Sequence, residues 1–246
     1  LYLGHTTPEW HADASLDAFA NLGFWTPVVL GLSALLCGYW LQGHAQRVQA
    51  ALESDADVDT NNTPWLNDWC NTPRVLWAPV VWGFAWWLLG VGSESSRVLR
   101  YFGHVDVLPA AYVAWVLLTS VVALQVAQWR HWTQLRWATL ATLPGFVLVA
   151  LFALAQGSAN GLAYVPSTAW GWLAWPLALA CHLRLLRVQK PSVAPTVLER
   201  FHVAGFWFFV VLAARECQWQ MGQFGHAGGV WSSWSLLGWV LVPALA

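Results

Sequence analysis

The chain has 246 residues, 58% of them hydrophobic and only 9% charged, with 12 acidic and 11 basic side chains and a formal net charge of −1. A soluble domain carries roughly a quarter charged residues to solvate its surface, so this composition excludes an ordinary soluble globule and points to lipid as the surrounding medium. The few, balanced basic residues also exclude nucleic-acid binding, which needs a concentrated positive footprint.

Apolar runs close to the ~20 residues that cross a bilayer occur at 19–41, 75–92, 107–128, 138–156, 169–187, 201–218 and 230–246. They predict an all-α fold, a polytopic transmembrane helix bundle of about seven membrane helices in a single region over residues 1–246. Soluble β-strands are excluded because the runs far exceed a typical strand of ~5–6 residues. A membrane barrel would need alternating polarity. Many of the 21 Trp residues sit near the ends of the runs, where an indole lies at headgroup depth. Pro27, Pro79, Pro144, Pro176 and Pro243 are compatible with membrane helices, whose neighbours re-satisfy the freed carbonyls. Ala34 and Gly38 form a small-xxx-small pair that favours close helix approach.

Between the first two runs, residues 43–74 are polar and include Glu53, Asp55, Asp57 and Asp59, which predicts an exposed loop. The Asp-rich stretch resembles the start of a calcium loop but lacks its Gly and closing Glu, so no metal is assigned there. Orientation follows from the excess of Lys and Arg in cytoplasmic loops. With seven crossings, Arg47, Arg74, Arg130, Arg136, Arg184, Arg187, Lys190 and Arg200 share one side, and Arg97, Arg100 and Arg215 the other. The first side is therefore expected to be cytoplasmic and the N-terminal segment extracytoplasmic. The chain has no initiator Met and stops inside an apolar run, as expected of part of a longer protein.

Ionisable groups gather at the expected outer side. Glu94, Arg97, Tyr101 and His104 follow the second run at spacings of three, four and three, which predicts one polar face on a helical continuation. The sixth run ends in Arg215, Glu216, Gln218, Trp219 and Gln220. Such groups are costly in lipid and seek partners inside a bundle, so Glu94, Arg97, Arg215 and Glu216 are candidates for one outward-facing pocket. The competing expectation is a pair of helix-end ion pairs that hold the bundle in register. His44, His131, His182 and His202 lack the spacing of a metal or haem motif, and the scattered Cys37, Cys70, Cys181 and Cys217 lack CxxC; no metal and no cofactor is implied. Trp129 to Trp137 reads as a tight cytoplasmic turn anchored at the lipid interface. No specific catalytic motif occurs.

Three segments, residues 75–90 with Glu94, residues 171–179, and His202 through Glu216 to Trp219, resemble the bacterial family of large predicted membrane proteins known as domain of unknown function 2339. The likeness runs from about Asn21 to the end. It implies a multi-pass protein of the bacterial inner membrane with more helices than are present here, and a Glu after a Trp-rich helix at the positions of Glu94 and Glu216. It implies no activity. Three functional expectations stand: an envelope protein, non-catalytic or associated with transport, whose outer cluster binds a polar lipid, a glycan or a protein partner; an enzyme on a lipid-linked substrate with an outer carboxylate as base and Arg97 or Arg215 holding an anion; and a haem-binding electron carrier.

Overall fold

The computed structural model describes residues 18–53, 73–159, 164–191, 193–225 and 242–244. The chain there is helical almost throughout, as α1 (Leu22–Glu53), α2 (Pro73–Tyr101), α3 (Leu108–Trp129), α4 (Thr133–Ala138), α5 (Thr142–Ala159), α6 (Gly171–Gln189) and α7 (Pro195–Gly225). Single 3-10 turns, Val105–Val107 and Thr139–Ala141, precede α3 and α5. No strand occurs among the described residues. This is an all-α membrane bundle.

Among the described residues, five stretches are long and apolar enough to cross a membrane: Leu22–Arg47, Val75–Tyr101, Val105–Trp129, Thr133–Gly157 and Pro195–Met221. The run at 169–187 is helical as α6 but is not one of the five; Pro176, His182, Arg184 and Arg187 dilute its apolarity. The run at 230–246 lies outside the described residues except for 242–244, and so do residues 54–72 of the polar connection. Residues 43–53 of that connection are not loop, because α1 continues to Glu53. Their sequence, with three Ala, two Gln, Arg47, Leu52 and Glu53 among eleven residues, has high helix propensity and sustains the helix past the apolar run.

The helices show the outside expected of lipid-facing rods. Leu22, Leu36 and Leu148 are 77%, 68% and 67% exposed, and Trp82, Trp172 and Trp207 are exposed with them. Large apolar side chains exposed in such number are rare on a soluble monomer.

The chain divides into two compact units, residues 1–103 with 125–138 and residues 104–124 with 139–246. In the first, α1 and α2 meet backbone to backbone. A Cβ on Gly31 would lie 2.8 Å from the Gly83 carbonyl oxygen, and one on Gly90 would lie 2.9 Å from the Pro27 ring. Gly38 faces Val80 and Pro79. Gly31 and Gly38 on α1, and Gly83 and Gly90 on α2, are each seven residues apart, so every second turn of each helix offers a flat face to the other. The close approach thus runs through Gly31 and Gly38, with Ala34 only half-buried.

α3 ends at a Schellman turn in which His131 takes the left-handed conformation (φ 52°), the Trp132 amide donates to the Ala127 carbonyl (2.9 Å) and the His131 amide to that of Gln128 (3.4 Å). The tight turn expected at 129–137 is therefore present and runs straight into α4.

In the second unit, Val113, Phe146, Val149, Ala150, Trp175, Ala178 and Leu212 from α3, α5, α6 and α7 form the apolar core. A buried polar knot accompanies it. The Thr142 hydroxyl lies 2.6 Å from that of Ser120 and 2.5 Å from the Thr139 carbonyl, while the Gln189 amide donates to the Thr139 hydroxyl. Such bonds re-satisfy polar groups that lipid cannot.

Candidate functional site

Asn21 precedes the first residue of α1 and acts as its N-cap, its side-chain oxygen accepting the Phe24 amide at 2.9 Å. Its side-chain nitrogen donates to Glu94 on α2 (3.1 Å), and the Phe19 amide donates to the same carboxylate at 2.7 Å. Arg97, one turn on, closes the arrangement with Nη2 at 2.6 Å and Nε at 3.0 Å from the two carboxylate oxygens. Glu94 is only 3% exposed. Its negative charge is matched by Arg97 and both its oxygens accept hydrogen bonds, the arrangement that makes a buried ion pair tolerable. Phe19 has φ 62°, a conformation that costs a bulky residue energy and persists only where surroundings impose it. Glu94 is the group that holds it.

The second unit repeats this plan with a different balance of charge. Ahead of α6, residues 164–170 fold as a turn in which Ala169 (φ 46°) and Trp170 (φ 71°) are left-handed. Glu216 on α7 pins the turn by accepting the Ser167 amide (3.0 Å) and hydroxyl (2.7 Å), with Gln220 donating to it at 2.8 Å. Gly171 begins the helix because a Cβ there would run into the Pro166 carbonyl. Arg215 does not turn to Glu216. Its Nε donates to the Tyr164 carbonyl (3.3 Å) and its Nη1 to the Gln218 side-chain oxygen (2.7 Å). The one ion pair among the described residues is Arg97 with Glu94, so Arg215 keeps its charge among neutral partners.

Tyr164 completes the turn. Its hydroxyl accepts the Trp175 indole N–H at 2.9 Å. Burial raises its pKa above the ordinary phenol value, with the nearby Glu216 carboxylate adding to the rise and the indole bond opposing it. Below Tyr164 and Arg215 lies a cavity of about 380 Å³ between α5 and α7, its remaining lining entirely apolar.

Of the residues singled out in the sequence, Glu94 and Arg97 are brought together in the first unit, and Arg215 and Glu216 join the 164–168 turn in the second. Tyr101 lies at the last residue of α2, 65% exposed and edge-on to Phe102. His104 does not share the helical face expected of it. α2 stops at Tyr101, and Gly103 (φ 74°) turns the chain away. Trp219 is half-buried on α7. Among the histidines, His182 packs against Gly205 with Nε2 3.3 Å from the Phe201 carbonyl oxygen, and His44 stacks on Trp40.

Asn21, Tyr164 and Ser167 were not anticipated, because the side chains they bond, Glu94, Arg215 and Glu216, are distant in sequence and reach them only through the fold. One signal in the sequence marks both sites. Gly83-Phe84 and Gly205-Phe206 each stand at the start of an aromatic and aliphatic stretch, and each Gly precedes its Glu by eleven residues. The partner helices match as well, with Pro27 and Pro176 each the sixth residue of its helix.

No curated protein and no solved structure matches the chain. A family model does match, over residues 18–246, and it is that of the predicted membrane proteins described as DUF2339. The matched stretch takes in both carboxylate-held turns and every membrane-crossing helix described above, and the chain belongs to this family of membrane proteins of unknown function.

Proposed function

We propose that this chain is the ligand-holding part of a non-catalytic envelope membrane protein, and that its second unit binds the polar moiety of a lipid, glycan or protein partner beside Arg215. One observation carries the proposal: both glutamates are spent on holding strained backbone, whereas Arg215 retains a positive charge beside an apolar cavity. Arginine presents five N–H donors in a planar fork suited to carboxylate or phosphate, and two are engaged here.

An enzyme using an outer carboxylate as general base fits less well. A working base must reach the proton it removes, and Glu94 is buried and ion-paired with Arg97 while Glu216 is turned to Ser167 and does not line the cavity.

The test places a photoreactive amino acid at position 168, on the exposed rim of the turn, in the intact protein in its own membrane. A discrete crosslinked adduct that is lost on Arg215→Gln and kept on Arg97→Gln is the expected result. No adduct, or one indifferent to Arg215, would remove the second unit as the binding site.

A further inference from the structure

The cavity beside Arg215 is built from two matching stripes. Val147, Ala150, Leu151 and Leu154 on α5 and Phe208, Val211, Leu212 and Arg215 on α7 have the same i, i+3, i+4, i+7 spacing, so each stripe is one continuous helix face. Ala150 and Leu212 form a buried floor, while Leu151 and Val211 stand 56% and 48% exposed at the lips. The result is a furrow spanning eight residues of each helix, roughly 10 Å long for seven rises of about 1.5 Å, apolar along its length and capped at one end by Arg215 and Tyr164.

From this geometry, and resting on the assignment of the second unit as a ligand site, we infer that the furrow holds one acyl chain of an anionic phospholipid whose phosphate is bound by Arg215. The lining selects a hydrocarbon occupant: apart from Tyr164 and Arg215 at one end, every side chain along the furrow is aliphatic or Phe208. Chemistry excludes a sugar from the furrow itself, since its walls offer no partner for hydroxyl groups. Charge selects the headgroup. Arg215 has no carboxylate partner among the described residues and lies at the end of the apolar part of α7, where a phosphate would meet three unspent N–H donors.

The experiment is native mass spectrometry of the intact protein in mild detergent, offered phosphatidylglycerol and phosphatidylcholine with identical chains, and separately glycerol phosphate. Phosphatidylglycerol should be retained about fivefold over phosphatidylcholine, the worth of one basic residue facing an anionic lipid, and glycerol phosphate alone should not be retained. Arg215→Gln should bring the two lipids to parity. Ala150→Phe, which fills the floor, should lower retention of both, with Val211→Trp at the lip as the milder obstruction and Leu148→Phe on an exposed face as the control that changes nothing. Equal retention of the two lipids by the unaltered protein, or a preference that survives Arg215→Gln, would overturn the inference. So would glycerol phosphate binding without a chain. A photoreactive residue at position 211 that crosslinks to residues 226–246 in place of lipid would assign the furrow to the chain itself. Loss of lipid preference while the adduct at position 168 persists refutes the phospholipid and leaves the ligand site standing; loss of both refutes both.

Discussion

Glu94 and Glu216 show what a carboxylate near a helix end does in a membrane bundle: it collects amide and side-chain donors from a neighbouring turn and pins that turn in place. For Glu94 the cost of burial is offset by Arg97 and two further donors. Glu94→Gln removes the charge that Arg97 answers and should destabilise the protein by about 1.5–3 kcal/mol, the usual worth of hydrogen bonds to a charged group, read as a shift in unfolding in mixed micelles. Arg97→Gln should cost a similar amount, and the double substitution less than the sum, because the two share one interaction.

Tyr164 gives the second turn a dependence on pH. Its raised pKa means that the folded protein holds the phenolic proton more tightly than the unfolded chain. The stability this contributes is fully present below the ordinary phenol pKa of about 10 and is lost as pH rises through the higher folded-state value. Unfolding of the intact protein between neutral pH and pH 11 should therefore show an alkaline loss of stability that Tyr164→Phe reduces. An unchanged alkaline limb in that variant would show that Tyr164 is not the group responsible.

Among the elements, the α1 and α2 pair is held by absent side chains. A Cβ on Gly83 would lie 2.7 Å from Leu35 and 2.8 Å from the Gly31 carbonyl, whereas one on Gly43 meets nothing within 4 Å. Gly83→Ala should thus cost about 1–3 kcal/mol through overpacking. Gly43→Ala should be neutral or stabilise by up to about 1 kcal/mol through helix propensity. Equal effects in the same unfolding assay would contradict the packing described. The apolar runs were legible because a membrane helix must satisfy its backbone internally and present apolar side chains outward. Their ends were not, for two reasons. α1 persists to Glu53 because good helix formers extend it beyond the lipid, and α2 stops at Tyr101 because Gly103 turns left-handed. Nor does small-residue spacing alone reveal which face meets a neighbour, so Ala34 stood beside Gly38 as an expected contact, and Gly31 emerged only with the partner helix in place.

At the scale of the whole molecule, composition was enough to announce a lipid-surrounded helical bundle, and the exposed leucines and tryptophans along every long helix fit that environment. Membership of the family of predicted membrane proteins agrees with the resemblance read from the Trp-rich segments. The organisation inside the chain was harder to read. Glu94, Arg97, Arg215 and Glu216 look alike in sequence as charges after apolar runs, yet in one unit Arg and Glu neutralise each other and in the other they part to different partners. A spacing of three between Glu94 and Arg97 permits the side chains to meet on one helix face, while adjacent positions such as Arg215 and Glu216 point apart. That local difference leaves a positive charge at the furrow, and the turn supplying its neutral partners is invisible until the fold brings residues 164–168 to α7.

Everything proposed for Arg215 depends on lipid lying against the apolar helix faces of each unit. The direct measurement is cysteine accessibility in intact membranes, with Leu36→Cys and Leu148→Cys introduced into a protein whose native cysteines are replaced by Ala. A membrane-impermeant maleimide should leave both unlabelled in intact membranes and label both once the protein is denatured in SDS, because the reacting thiolate does not form in lipid. Rapid labelling of both positions by the impermeant reagent would mean that water bathes these faces, contradicting the membrane-spanning arrangement on which the account stands.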